Sequence, residues 1–250
     1  MKKIVLLTVL LILLLSVSAC AKDDIIITTR AEATGSDITL GFEKGESFIH
    51  ILKLMNFIPI KLPPQIAVWI EDLDGNYIET LYVTEKGGTQ GWRGQPGGSP
   101  AETIRRPESL PCWSHRRNVV YPDGLFMPTL EQPLTDAVTA ATPKGDFRLD
   151  TKVPEDLTAF VVLVEVNSPG DYNDAYPEGV SLGSPDYTGA SGQPSTIYAA
   201  TVDLSSGADT WELVPIGHGS PDGSDGGIDP DLSGLTTAKD IISGITLAVE

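Results

Sequence analysis

The chain has 250 residues, 41% of them hydrophobic, with 17 Lys or Arg against 34 Asp or Glu and a formal charge of −17 at pH 7. Such an acidic balance argues against a nucleic-acid partner and against direct adhesion to anionic lipid, both of which select basic surfaces. The length suits one elaborated β domain or two small ones, and two cysteines, Cys20 and Cys112, allow at most one intrachain disulfide.

The N-terminus, "MKKIVLLTVLLILLLSVSAC", sets Lys2 and Lys3 ahead of a largely apolar run from Ile4 to Leu15, followed by small residues. That is the layout of a secretory signal, with an apolar core too short for a spanning helix. Its end, Val17-Ser18-Ala19-Cys20, resembles the lipobox of bacterial lipoproteins. The resemblance implies that residues 1–19 are removed, that Cys20 is acylated, and that the mature chain faces the periplasm from a lipid anchor in the cell envelope. An ordinary signal peptide with a chance cysteine is the alternative. Without Lys2 and Lys3, 15 basic residues oppose 34 acidic ones, a formal charge of −19, and an acylated Cys20 leaves Cys112 unable to form a disulfide within the chain.

Residues 20–36 read as the lipidated N-terminus and a tether that runs into a short strand around Ile25–Thr29, and 37–250 as the folded domain. A strand follows at Ile38–Phe42. The apolar segment "FIHILKLMNFIPIKLPP", interrupted by Pro59, Pro63 and Pro64, reads as an edge strand and a crossover, because proline cannot donate to a sheet ladder. In "QIAVWIEDLDGNYIETLYVTE", Ile66, Val68 and Ile70 alternate with Ala67 and Trp69, and Asp74-Gly75 supplies a tight turn, which together predict a β-hairpin. Further strands are predicted at Phe147–Asp150, Ala159–Val166, Thr196–Leu204, Thr210–Pro215 and Gly244–Val249. "AFVVLVEV" is apolar on both faces for most of its length, which places it centrally with cover on each side. Helical signals are confined to short pieces near Ile104–Leu110 and Leu235–Ile242. The fold class is all-β, an immunoglobulin-like β-sandwich with a long irregular insertion at about 86–145.

An insertion of that length is uncommon unless it is functional. From Lys86 to Arg117 it carries Lys86, Arg93, Arg105, Arg106, Arg116 and Arg117 against Glu102 and Glu108, a cationic island in an acidic chain. With Trp92, Trp113 and His115 it forms a candidate surface for an anion or an acidic protein partner. The alternative is that these arginines pair with the chain's own acidic loops.

Four stretches, "PPQIAVWIEDLDGNYIETLYVT", "RRPESLPCWSHRR", "TDAVTAATPKGDFRL" and "LSGLTTAKDII", together resemble an uncharacterised family of predicted periplasmic proteins known as a domain of unknown function. The likeness extends from about Gly35 to Val249. The "VWIEDLDGNYIETL" hairpin is also similar to the immunoglobulin-like module of flagellar hook-capping proteins. Members of the family are often encoded near extracytoplasmic FMN transferases, which implies work in an envelope flavin redox system with an FMN transferase among its partners.

Those transferases attach FMN through a phosphoester to a threonine in a motif resembling Asp-x-x-Ser/Thr-Gly-Ala-Thr. Asp136, Thr139, Ala141 and Thr142 match it, with Thr142 as the implied acceptor and covalent FMN as the implied cofactor. Ala140 stands where the motif has glycine and Pro143 follows the acceptor, and both restrict the backbone. In the alternative reading Asp136 caps a turn, Val138 points inward, and Thr139 and Thr142 satisfy backbone groups.

Cys112 and His115 have a spacing that would serve a nucleophile and base, but no third orienting residue is evident, and a buried cysteine beside a packed Trp113 is the competing reading. Asp222, Asp225, Asp229 and Asp231 lie among glycines in "HGSPDGSDGGIDPDLSG" and could offer oxygen ligands to Ca²⁺, although their spacing is not that of an EF-hand loop. The segment "NSPGDYNDAYPEGVSLGSPDYTGASGQPS" reads as turn-rich and solvated. No paired acid and base or nucleophilic triad emerges, so the sequence points to a non-enzymatic envelope lipoprotein, either an accessory of a flavin redox system or a structural module that recognises another envelope protein or glycan.

Overall fold

The computed structural model describes residues 25–54, 58–92, 104–135, 138–181, 183–184 and 186–249. The molecule is an all-β sandwich. One sheet has five strands in the order β1-β8-β2-β13-β11, formed by Ile25–Thr28, Phe147–Val153, Ser36–Lys44, Ile242–Val249 and Thr210–Glu212. The other has six in the order β12-β10-β9-β5-β6-β7, formed by Val214–His218, Thr196–Asp203, Ala159–Asn167, Gln65–Glu71, Tyr77–Thr84 and Thr139–Ala140. β3 (His50–Leu54) and β4 (Ile58–Leu62) pair with each other as a separate two-stranded ribbon. Neighbouring strands are antiparallel except at one edge of each sheet, where β1 runs parallel to β8 and β7 parallel to β6.

Inward side chains of both sheets fill the space between them: Leu40, Phe42, Phe147, Leu149 and Leu247 from one side, and Ile66, Val68, Val162, Val164 and Val166 from the other. Phe42 and Phe147 stack at 4.2 Å between ring centroids. The alternating burial of β8, with Phe147, Leu149, Thr151 and Val153 buried and the residues between them more open, is the period-2 pattern of a strand with one face in the core. β5 and β9 differ. Every residue of β5 is buried, because Ile66, Val68 and Ile70 enter the inter-sheet core while Ala67 and Trp69 enter a second cluster with Val83, Leu163, Ile197, Leu110, Cys112, Trp113 and Met127.

That second cluster covers the outer face of the six-stranded sheet, and its cover is the long insertion. α1 (Glu85–Thr89), a 3-10 turn at Pro107–Ser109 and α2 (Pro111–Arg116) are its regular pieces. The chain therefore builds three layers, and β9 has the cover on both faces that its composition requires.

Several local readings shift. The segment expected to supply an edge strand and a crossover forms the β3–β4 ribbon, where each strand has one unpaired edge that tolerates Pro59. The expected strand Thr210–Pro215 divides at Leu213: β11 joins β13 in one sheet and β12 joins β10 in the other, and Leu213 is buried between the sheets with its N–H on the Ile245 carbonyl at 2.9 Å. The helical signal near Ile104–Leu110 is the single 3-10 turn Pro107–Ser109, and α2 follows it, with Pro111 in the first helical position. Near Leu235–Ile242 there is a single 3-10 turn, Thr237–Asp240. The short strand expected around Ile25–Thr29 is β1, Ile25–Thr28, and it is built into the sandwich: β1 pairs along β8 and Thr29 Oγ1 donates to the Leu81 carbonyl at 2.8 Å. The turn-rich segment after β9 is partly interior: Asp171 accepts from Thr237 Oγ1 at 2.7 Å and from Gln193 Nε2 at 2.9 Å. Gly189, at φ +58°, lies so close to Glu108 that a Cβ there would stand 2.3 Å from its carboxylate.

Candidate functional site

The cationic island is brought together by the insertion, and its side chains turn largely onto the protein. Arg105 pairs with Asp123 and donates to the Met127 carbonyl at 2.7 Å. Arg116 reaches Glu71 at 3.3 Å and the Gly75 carbonyl at 3.2 Å. Arg106 lies 4.5 Å over the Trp92 ring and Arg117 5.0 Å over the Trp113 ring, positions in which a guanidinium gains from the ring quadrupole. Burial lowers the pKa of Arg106 while Glu108 opposes that shift. Arg106 Nε and Arg117 Nη1 are buried and find no partner among the described residues. Trp113 is fully buried with its indole N–H on Thr80 Oγ1 at 2.9 Å, and Trp92 is buried with its N–H on Gln90 Oε1 at 2.9 Å. Arg93 lies outside the described residues. Arg105 and Arg116 thus pair with acids of the chain, as the alternative reading has it, whereas Arg106 and Arg117 lie over tryptophan rings.

Cys112 and His115 do not form a nucleophile and base. Cys112 is fully buried, its thiol donates to the Gly227 carbonyl at 3.1 Å, and burial pushes its pKa far up. The reactive thiolate is thereby suppressed. His115 donates from Nδ1 to the Pro111 carbonyl at 2.9 Å and packs against Phe126 at 4.2 Å.

What positions α2 is a residue that the site reading passed over. Glu165, the lone acid in the apolar run of β9, is completely buried and accepts the Cys112 N–H at 3.2 Å, the Trp113 N–H at 2.8 Å and the Ser195 hydroxyl at 2.5 Å. It caps a helix that has no side-chain cap of its own. Burial is the larger effect and raises its pKa to about 7 against the three donors, which favour the carboxylate. The sequence signal was an ionisable residue inside a β-branched strand, a placement that requires a partner.

The described part of the "DAVTAATP" stretch, Val138 to Pro143, lies where the edges of the two sheets meet. Thr139 and Ala140 form β7, paired with Val83 and Thr84, and the chain then crosses to β8 in the other sheet. Ala140 is in extended conformation with its methyl against the inter-sheet core, so this position does not need the freedom of glycine. Ala141 is exposed, Thr142 half-buried and Pro143 buried. Thr142 lines an open groove of about 470 Å³ between β1, with Ile25 to Thr28, and the segment Ala140 to Lys144. Its walls are mainly aliphatic, Lys144 supplies a cation, and its volume lies in the range of small-molecule sites. Asp136 lies outside the described residues.

The four aspartates of the glycine-rich loop do not converge on a cation. Asp222, Asp225, Asp229 and Asp231 each accept the backbone N–H of the residue two further on, at 2.9, 2.7, 2.9 and 2.9 Å, as local turns do. Among the described residues no group of three or more His, Cys, Asp or Glu is placed to hold a metal ion, and no helix is long and apolar enough to cross a membrane. Cys20 and the signal segment lie outside the described residues. Compared with family models, with curated proteins and with solved structures, the chain matches none of them.

Proposed function

We propose that this chain is a non-enzymatic envelope lipoprotein, held at the membrane through acylated Cys20, that carries covalent FMN on Thr142 as part of an extracytoplasmic redox system. The observation that carries this reading is the position of Thr142. Its hydroxyl belongs to a thin crossing segment flanked by the small residues Ala140 and Ala141, at the rim of an open groove rather than in a core. An acceptor loop must be slim and accessible, because its hydroxyl has to reach a phosphorus centre inside another protein. The aliphatic wall from Ile25 to Ile27 offers a surface for a planar ring, and Lys144 offers a cation for the phosphodiester. Bound FMN would supply the electron transfer, and the chain would supply tethering, shielding and charge. The internal engagement of the arginines lowers the weight given to docking through the cationic island.

The test is to co-express the full chain in a bacterial periplasm with an extracytoplasmic FMN transferase and record intact mass and in-gel flavin fluorescence, beside a Thr142→Val variant. The expected result is one FMN adduct that the variant lacks. Unmodified protein, under conditions that fully modify an established acceptor, would overturn the flavin reading and leave a sandwich that recognises another envelope protein or glycan.

A further inference from the structure

We infer that the β3–β4 ribbon forms a bilayer-contacting surface that seats this end of the sandwich in the membrane interface. The inference rests on the acylation of Cys20 proposed above. Three independent features of the chain converge on it.

The strand registers place the ribbon and the start of β1 at the same end of the molecule. Ile25 pairs with Phe147, Phe147 with Phe42, and Lys44 with Ile242, so the beginning of β1 lies beside the end of β2. The ribbon leaves from that end of β2 and returns into β5 at Gln65, which faces Asn167 at the end of β9. Only residues 21–24 separate Cys20 from β1. At ~3.5 Å per residue, the first residue of β1 stands within about 18 Å of the acylated cysteine. An anchor this short holds the ribbon end, and not the opposite hairpin at Asp72–Asn76, against the lipid.

The ribbon is also unusually apolar for a surface element. Ile51, Ile58 and Ile60 are 52%, 45% and 36% exposed. Cross-strand pairing sets Leu52 beside Ile60 and Leu62 beside His50 on one face, and Ile51 beside Lys61 on the other. The ribbon rests on the body where Leu52 and His50 approach Gly170; Ile60 lies level with Leu52, and Ile58 lies further along, across from Leu54. Exposed aliphatic side chains on a ribbon that pairs with no other strand need a cover, and the nearby anchor identifies a bilayer as that cover.

The ribbon itself carries no acid: no Asp or Glu occurs between Glu46 and Glu71, and Lys61 pairs across the strands with Ile51. A lysine beside isoleucine at a membrane surface lays its methylenes on the apolar layer and keeps its ammonium among the headgroups.

The full chain, processed in a lipoprotein-competent host, would be reconstituted into phosphatidylethanolamine–phosphatidylglycerol vesicles containing doxyl-labelled lipid. An environment-sensitive maleimide would be placed on Ile60→Cys, with Leu73→Cys at the opposite hairpin as comparator; Cys112 is buried and does not compete. Intact mass and vesicle flotation report acylation separately. The expected result is flotation, with lipid quenching several-fold stronger at position 60 than at position 73. Flotation with equal, weak quenching at both positions overturns the ribbon surface while leaving the anchor standing. Absence of acyl mass and of flotation overturns both. A probe at position 60 that is shielded in proportion to protein density, without lipid quenching, assigns the ribbon to a second copy of the chain and overturns the bilayer assignment.

Discussion

At the scale of single residues, Glu165 carries the clearest physical consequence. Its folded pKa of about 7 lies above the ordinary carboxylate value of 4.5, so between these pH values the folded chain holds a proton that the unfolded chain has released. Stability attributable to this group is fully present below pH 4.5 and is lost as pH rises through 7. The shift corresponds to about 3 kcal/mol. Glu108 is also raised by burial and acts in the same direction, whereas Asp72, Asp123, Asp203, Asp222 and Asp231 are lowered and act at more acidic pH. Urea unfolding of the native chain and of Glu165→Gln, at pH 4.5 and pH 7.5, isolates the residue. The native chain is expected to lose about 3 kcal/mol more than the variant across that interval. The variant should be less stable at pH 4.5, because its single amide oxygen can accept from Cys112 and Ser195 while its NH2 is left facing the Trp113 N–H. Equal pH slopes for the two proteins would contradict the burial account.

At the scale of elements, the insertion is a structural layer before it is anything else. Its length and basic composition pointed to a displayed surface, yet Trp113, Leu110, Cys112 and Met127 seal the outer face of the six-stranded sheet. Trp113→Ala is expected to cost about 3–5 kcal/mol in urea unfolding, through the lost ring and the cavity left in the cluster it shares with Trp69. Val120→Ala, in the same insertion but 60% exposed, should change stability by less than about 0.5 kcal/mol. A small effect at Trp113 would mean that the insertion is not integral to the fold. The period-2 patterns of β5 and β8 were legible because each residue alternates between a core and another surface, and the hairpin turn was legible from Asp74-Gly75. The division at Leu213 was not, since nothing local distinguishes one continuous strand from two that change sheets at a buried leucine.

At the scale of the whole molecule, the layers are pinned to one another through a few shared contacts. Glu165 joins β9, α2 and the start of β10 through Ser195, and the Cys112 thiol joins α2 to the loop before Asp229. Exposure of Cys112 should therefore require loss of the entire assembly. In a denaturant series, labelling of Cys112 by a maleimide is expected to rise with the same midpoint as tryptophan fluorescence; labelling at clearly lower denaturant would show that the insertion opens by itself. The sequence by itself determined the all-β class, the hairpin, the doubly covered β9 and the acidic surface, because alternation, turn chemistry and net charge are properties of neighbouring residues or of the total. It also contained the acceptor-like pattern at Asp136 to Thr142. Only the tertiary structure decided that Arg105 and Arg116 pair with acids of the chain, that Glu165 caps α2, that Thr142 borders a groove with β1, and that the ribbon shares an end with the start of β1. Each of these depends on which distant segments meet, and that is set by how three layers bury their apolar faces together.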